Sequence, residues 1–307
     1  MSGMALSIVI ATLVSGTSLV YAALGELVTE KSGVLNLGVE GMMLTGAIVS
    51  FITASATQSI WLGVCAGMLA GALLAALFAV IAITLVANQV AAGLALAVFG
   101  TGLSSLLGKG YTGTSLVLKS LPIAATVSRI PVIGDILTQL HPLVYLSWVL
   151  FAAVSYFLYR TKTGLVLRAV GEAPDSAYAI GHPVARIRYL ATIFGGAMAG
   201  IAGAFLATVY TAIWTEGMTA GRGWIALALV VFATWRPARV LVGAYLFGGV
   251  TTAQLFAQSA GIPVPPEVMS SLPYLATILV LVLITQNRTL VRMNAPRALG
   301  QPFHAQA

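Results

Sequence analysis

One carboxylate stands inside an apolar run of this chain. Glu40 lies in the stretch Gly33–Thr53, which also carries Gly33, Gly38, Gly41 and Gly46. An acid at bilayer depth costs roughly 2.5–3.5 kcal/mol on insertion scales, so such a residue faces a cavity or a partner. Asn36 lies four residues earlier, on the same face wherever the segment is helical. Two readings follow. Both side chains line the path of a polar solute at a broken helix, where freed backbone groups and helix ends meet ligands near the midplane. Alternatively, they form a structural bond that pins the break. A second segment echoes the first. Glu40-Gly41-Met42-Met43 and Arg222-Gly223-Trp224-Ile225 each open an apolar segment with a charge and a glycine. Inverted repeats place such segments in matching positions, which would let Glu40 and Arg222 pair. Trp224 can stack on a planar ligand or anchor at an interface.

The other concentration of chemistry is Arg160–Arg188, the only long charged passage, with five of the fifteen basic residues and two of the eight acids. Pro174 suits the first turn of a short helix, and Glu172 and Asp175 complement the positive end of its dipole. Gly181 and Pro183 then stop it. A helix of about two turns, with Ala173, Ala177 and Ala179 as small contact residues, fits a groove on a partner. A solvated amphipathic loop with no partner is the plainer reading.

The elements that carry these residues belong to lipid. Of 307 residues, 59% are hydrophobic and 7% charged, against about 25% charged in soluble domains. The net charge of +7 does not point to nucleic acid, because the basic residues sit in short loops between apolar runs, as the positive-inside rule requires. Cys65 is the only cysteine, so no disulfide forms within the chain, and it reads as a small packing residue. His141, His182 and His304 have no ligand spacing, and a metal site is not expected. No carboxylate, histidine or cysteine cluster supports an integral-membrane enzyme. Phosphate cradling needs G-x-x-x-x-G-K-[ST]. The nearest text, Gly102 to Gly110, has Leu103 in place of the first glycine and Gly110 in place of Ser or Thr. Any nucleotide chemistry must come from another polypeptide.

A helix needs roughly 20 apolar residues to cross the hydrocarbon core. Met4–Leu24 qualifies and reads as a first span rather than a cleaved signal peptide, with Glu26, Glu30 and Lys31 as a polar turn after it. Gly33–Thr53, Ile60–Ala87, Val90–Leu107, Pro142–Tyr159, Tyr189–Ile213 and Val240–Gln258 follow. Trp224–Trp235 is too short to cross alone, and a last span begins near Leu272 and runs to Thr285. The expectation is an all-α polytopic membrane domain over residues 1–307, with nine or ten segments, broken or re-entrant helices and an internal repeat. Residues 108–141 form an external loop, 160–188 a cytoplasmic loop and 288–307 a cytoplasmic tail. That orientation places eleven Lys and Arg inside and four outside. Gly63, Gly67 and Gly71 form one small-residue strip, and Gly196 with Gly200 and Ala199 with Gly203 form another. Such strips pack helices within the subunit or, second, between subunits.

Three passages, in this order, resemble one family. They are Gly33-Val34-Leu35-Asn36-Leu37-Gly38-Val39-Glu40-Gly41-Met42-Met43, Leu167-Arg168-Ala169-Val170-Gly171-Glu172-Ala173-Pro174 with Gly181 beyond, and Gly217-Met218-Thr219-Ala220-Gly221-Arg222-Gly223-Trp224. Together they resemble permease subunits of ATP-binding-cassette importers in the branched-chain amino acid, simple sugar and nucleoside superfamily. The NLGVEGMM core is most similar to the nucleoside-type branch. One departure is Pro174, which stands where importer permeases often carry a second alanine.

The resemblance implies a permease, not an enzyme, in the cell (inner) membrane. It implies pairing with a second permease of the same or a sister sequence, a cytoplasmic ATPase pair and an external solute-binding protein. ATP and magnesium would sit on the ATPases and no cofactor on this chain. Glu172, Ala173, Pro174, Asp175, Ala177 and Gly181 would then meet the ATPase, while Asn36, Glu40, Arg222 and Trp224 would line the substrate path. Residues 108–141 and 261–272 are the candidate surface for the binding protein. The scarcity of other intramembrane charge favours a neutral or weakly polar solute. Nucleosides or purine-like bases come first by branch, with sugars, branched-chain amino acids and riboflavin-like vitamins open. The alternative is an ion-coupled secondary transporter or channel that needs no ATPase, with Glu40 as its proton or cation site.

Overall fold

A computed structural model describes residues 3–116, 139–260 and 294–304, with single positions between 265 and 282. Most of the expected external loop and the closing span Leu272–Thr285 fall outside the described residues. The described elements are helical, apart from an isolated bridge between Ser115 and Ile213.

The first helix, α1 (Gly3–Lys31), is the hub. Leu19 to Leu24 are all fully buried, as expected of a helix that is apolar all round. It does not end at Leu24 as the charges suggested. It continues about two turns further because Glu26, Glu30 and Lys31 each find a partner. Glu30 Oε2 accepts from Trp235 Nε1 at 2.5 Å, Glu26 Oε1 accepts from the Asn36 amide at 3.3 Å, and Lys31 Nζ donates to the Asn294 carbonyl at 2.8 Å. Bonded polar groups do not need a loop to reach water; of these carboxylates, Glu26 Oε2 alone stays buried without a partner.

After α2 (Val39–Thr57), α3 (Ile60–Ala79) continues through a π turn at Val80–Thr84. Then come α4 (Gln89–Gly108), capped by the Asn88 side chain, and α5 (Pro142–Arg160), capped by His141. The charged passage holds α6 (Lys162–Glu172) and α7 (Pro174–Ala179). Next are α8 (Val184–Phe205, extended by a π turn to Tyr210), α9 (Arg222–Phe232) and α10 (Pro237–Ser259). Among the described residues, seven helices are long and apolar enough to span a membrane, and α9 is the shorter apolar one.

The two glycine strips meet each other. A Cβ on Gly71 would lie 2.2 Å from the Gly196 carbonyl oxygen, and one on Gly200 would lie 2.2 Å from that of Gly67. They therefore serve packing inside the chain, bringing the α3 and α8 backbones together where lipid gives no hydrophobic drive for association.

α4 works as a ruler, since twenty residues cover about 30 Å. The irregular stretch between α1 and α2 enters at its Gln89 end, where the Leu35 amide donates to Gln89 Oε1 at 2.8 Å. It reaches mid-depth at Gly41, where a Cβ would lie 2.6 Å from the Leu96 carbonyl oxygen. The stretch before α9 enters from the opposite end, where Trp214 packs on Gly108. α9 then starts at mid-depth and runs toward the Glu30 end of α1, where Trp235 is held. Two broken segments thus enter from opposite faces, and their helix N-termini meet in the middle.

Candidate functional site

Gly221, at φ +79°, precedes α9 and has no side chain with which to cap it. Glu40, in the first turn of α2, supplies the cap. Its Oε1 accepts from the Thr219 hydroxyl at 2.5 Å and the Gly221 amide at 2.9 Å, and its Oε2 accepts from the Gly223 amide at 2.6 Å. Unpaired N–H groups and the dipole make a helix N-terminus a ready anion site. The bonds are charge-assisted, which is how a carboxylate only 7% exposed is stabilised between helices. The fit is close: a Cβ on Gly223 would lie 2.6 Å from Glu40 Cα.

Glu40 and Arg222 share the junction, but their side chains do not pair. The amides of Arg222's own segment engage both Glu40 oxygens. The Arg222 guanidinium turns to α1, with Nη1 donating to the Ser15 carbonyl at 3.0 Å and to Ser18 Oγ at 3.1 Å, and it lies over the Tyr210 ring at 5.0 Å. Ser15 and Ser18 sit in the middle of α1, which fixes the depth of the junction independently. Asn36 is fully buried, and its Oδ1 accepts from the Gly38 amide at 2.9 Å, shaping the turn into α2. Trp224 follows Gly223 and is 37% exposed.

The second cluster is the segment from α6 to α8. Pro174 opens α7, and Gly181 at φ +90° ends it with no atom within 4 Å of where its Cβ would be. Ala177 is buried with Val170 and Val184, so it fastens α7 to its neighbours and does not face outward. Glu172, Ala173 and Asp175 are exposed, as are Tyr178 and Ile180, at 44% and 74%. Residues 294–304 brace the segment from beneath. The Ala298 amide donates to the Gly171 carbonyl at 3.0 Å, Arg297 Nε meets Glu172 Oε1 at 2.8 Å, and Arg188 Nη1 donates to the Gln301 carbonyl at 3.1 Å. The Gly300 amide donates to the Gly33 carbonyl at 3.2 Å. The same strap therefore holds both the charged segment and the start of the stretch that leads to Glu40.

Residues 8–283 match the family described as branched-chain amino acid transport system / permease component. The chain belongs to this family of permeases. It is 42% identical to the "Putative glucose ABC transporter permease protein TsgC13" of Haloferax volcanii, over 96% of each chain. It is 33% identical to the guanosine ABC transporter permease protein NupQ of Bacillus subtilis, over 97% of each. It is 31% identical to the nucleoside ABC transporter permease protein NupC of Lactococcus lactis subsp. cremoris, over 96% of each. No solved structure matches it at a significant level. The protein is thus a multi-pass permease subunit of an ATP-driven importer in the cell membrane, of the nucleoside-type branch, and works with an ATPase and a binding protein.

Several residues of this permease's polar framework escape a reading by hydropathy. Thr219 is fully buried and stands inside the GMTAGRG text, yet nothing in its type announces a bond to Glu40. Glu26 and Glu30 carry a usable signal, being four apart on one helical face, but their charge cuts short any apolar window. Thr234 and Trp235 take positive φ, 48° and 52°. Such strain persists only where surroundings over-determine it; here Glu30 holds the Trp235 indole, and Arg239 Nη1 donates to Thr234 Oγ1 at 2.6 Å.

Proposed function

We propose that this permease carries a neutral, hydrogen-bonding solute, a nucleoside or purine-like base first, past the junction of α2 and α9. The observation that carries this is the occupation of the α9 N-terminus by Glu40. Broken helices at the midplane of transporters commonly point their N-termini at anionic ligands. In this permease that place is taken by its own carboxylate, so an anionic solute would have no helix end to meet. Arg222 is likewise engaged by α1 and Tyr210. Asn36, Glu40 and Arg222 hold the path in shape, and the exposed Trp224 indole offers a face for a base or a sugar ring. The relatives named for guanosine and nucleosides support the base. The relative named for glucose, at 42% identity, favours a hexose as the second reading.

The coupling surface in this proposal comprises Glu172, Ala173, Pro174, Asp175, Tyr178, Ile180 and Gly181, with Ala177 supporting from behind. It faces the cytosol, because Lys31, the basic residues of 160–188, Arg236, Arg239 and Arg297 gather at that end and Lys109 sits at the other. A cytoplasmic ATPase pair carrying ATP and magnesium grips it. A second permease, identical or sister, completes the path, and a binding protein docks on the opposite face. Closure of the ATPases moves α7, and the shared strap through Gly33 and Gly171 carries that motion toward Glu40.

The test is uptake by proteoliposomes holding this permease with its ATPase and binding protein. Labelled guanosine should accumulate only with ATP, and competing adenosine should block it while leucine does not. Block by glucose with no nucleoside uptake would replace the first reading with the second. Accumulation by this chain alone would overturn the importer assignment in favour of a secondary transporter.

A further inference from the structure

A cleft of about 740 Å³ opens between α1, α5, α6 and α8. Its walls are Leu150, Phe157, Leu190 and Phe194 with their apolar neighbours, and its polar lining is confined to Lys162, Thr163 and His182. These three belong to the charged segment: two open α6, and the third follows α7. The wall runs from that segment along α6 and the adjoining ends of α1 and α8, and reaches the middle of α5 at Leu150. The volume falls within the range of about 300–1,000 Å³ that holds a small ligand. The walls offer no donors or acceptors for a nucleoside or a sugar, so this is not the solute's path.

We propose that the cleft holds one acyl chain of an anionic phospholipid from the cytoplasmic leaflet, with its headgroup on Lys162, Thr163 and His182. The matching feature is polarity along one axis: apolar walls at hydrocarbon depth and donors only at the membrane surface. Lys162 is exposed and makes no ion pair among the described residues, so its charge is free for a phosphate. Basic pockets between spans on the cytoplasmic side are where anionic headgroups bind. α6 is amphipathic, with Leu167 and Val170 buried and Lys162, Thr163 and Leu165 outward, which suits a helix lying in the interface. A chain seated there is a wedge beneath α6, between the coupling segment and the span α8. The proposal rests on the cytoplasmic placement of that segment.

The test is native mass spectrometry of the full-length permease, purified in detergent and supplied with equimolar phosphatidylglycerol and phosphatidylcholine. One phosphatidylglycerol per chain should be retained preferentially. Lys162→Glu should reduce that preference by about fivefold or more, the worth of one basic residue at a charged surface. Ala153→Trp, at an exposed position on the wall, should remove the retained lipid of either kind without lowering the melting temperature. Equal retention of both lipids would overturn the proposal, as would retention unaffected by Ala153→Trp. So would a Leu190→Cys disulfide between two copies in a Cys65→Ser background, since a second copy would then cover the cleft. The side assignment is read separately, by membrane-impermeant labelling of Ser176→Cys in oriented vesicles. Labelling from outside would sink the cytoplasmic placement while the lipid preference stood on its own measurement.

Discussion

Glu40 and Glu172 are both acids beside a helix end, and they are used in opposite ways. Glu40 is 7% exposed and accepts from a hydroxyl and two amides belonging to a segment some 180 residues further on. Glu172 has a half-exposed side chain, and its partner, Arg297, is 82% exposed. The first joins two broken segments at mid-depth, where it is buried between helices. The second lies on a surface braced from beneath and open above. The difference teaches where each kind of damage should appear. Around Glu40 polar atoms are engaged by the backbone, so losing one unmakes structure. Around Glu172 side chains are left for a partner, so losing one should spare the fold and harm transmission.

The largest effect belongs to Glu40→Ala. It leaves two buried donors and one partly buried donor without an acceptor, at roughly 1–3 kcal/mol each, which together rival the whole stability of a typical domain. Melting temperature in detergent and ATP-driven uptake should collapse together. Gly223→Ala should act similarly through its clash with the Glu40 backbone. Glu40→Gln keeps one acceptor oxygen but turns an amide toward a backbone N–H, and should fall between. Wild-type uptake in Glu40→Ala would break the comparison at its inner side.

The outer side is tested by Ile180→Asp and Tyr178→Ala. Ile180 is exposed, so its change should alter stability by no more than about 0.5 kcal/mol. Tyr178 also meets the Phe303 ring edge-on at 5.7 Å, and its loss should cost about 0.5–1.5 kcal/mol. As anchors in a partner's groove they should weaken ATPase association by about 30-fold or more, the range of interface hot spots. Gly181→Leu should abolish uptake with the chain still inserted. Its φ of +90° strains any other residue by about 1–2 kcal/mol, yet there is open space around it. The damage should therefore be a misshapen α7 and not a broken core. Association unchanged in Ile180→Asp would remove the coupling assignment from this surface.

The described spans and the breaks were legible in the sequence because hydropathy and glycine carry them directly. Gly38 and Gly221 mark where α2 and α9 begin, and the echo of Glu40-Gly41 with Arg222-Gly223 marks segments that do meet. What the echo could not disclose is which atoms meet. Sequence spacing pairs charges with charges, whereas the helix end offers backbone amides, and it is these that hold Glu40 while Arg222 is held by α1 and Tyr210. The end of α1 was misread for a related reason. A hydropathy window counts Glu26 and Glu30 as exposed, and only the fold supplies Asn36 and Trp235 to receive them. Ala177 looked like a contact residue by its size, but its burial depends on Val170 and Val184, which only the packing of three helices places beside it.

A smaller effect is expected from Arg297→Ala. An exposed ion pair contributes about 0.2–1 kcal/mol, and the strap keeps its backbone bonds from Ala298 and Gly300. Uptake should fall slightly and stability hardly at all. Removing residues 294–307 altogether should cut uptake far more than Arg297→Ala does, because Arg188 and Lys31 then lose the Gln301 and Asn294 carbonyls.

The smallest effect refines the comparison at a third helix end. His141 caps α5, its Nδ1 accepting from the Leu143 amide at 3.3 Å, and burial pushes its imidazole below the usual value of 6.5. Only the neutral ring can accept that bond. As pH falls below 6.5, the unfolded chain takes up a proton that the folded cap resists, so stability is full above that value and declines toward the lower folded one. Melting temperature should therefore drop between about pH 7 and pH 5. His141→Asn keeps a capping oxygen without a titrating ring, so it should flatten that part of the profile while leaving uptake near neutrality unchanged. A profile identical to wild type would mean that the cap's protonation does not matter. His141 would then belong with the exposed acids of the coupling surface rather than with Glu40.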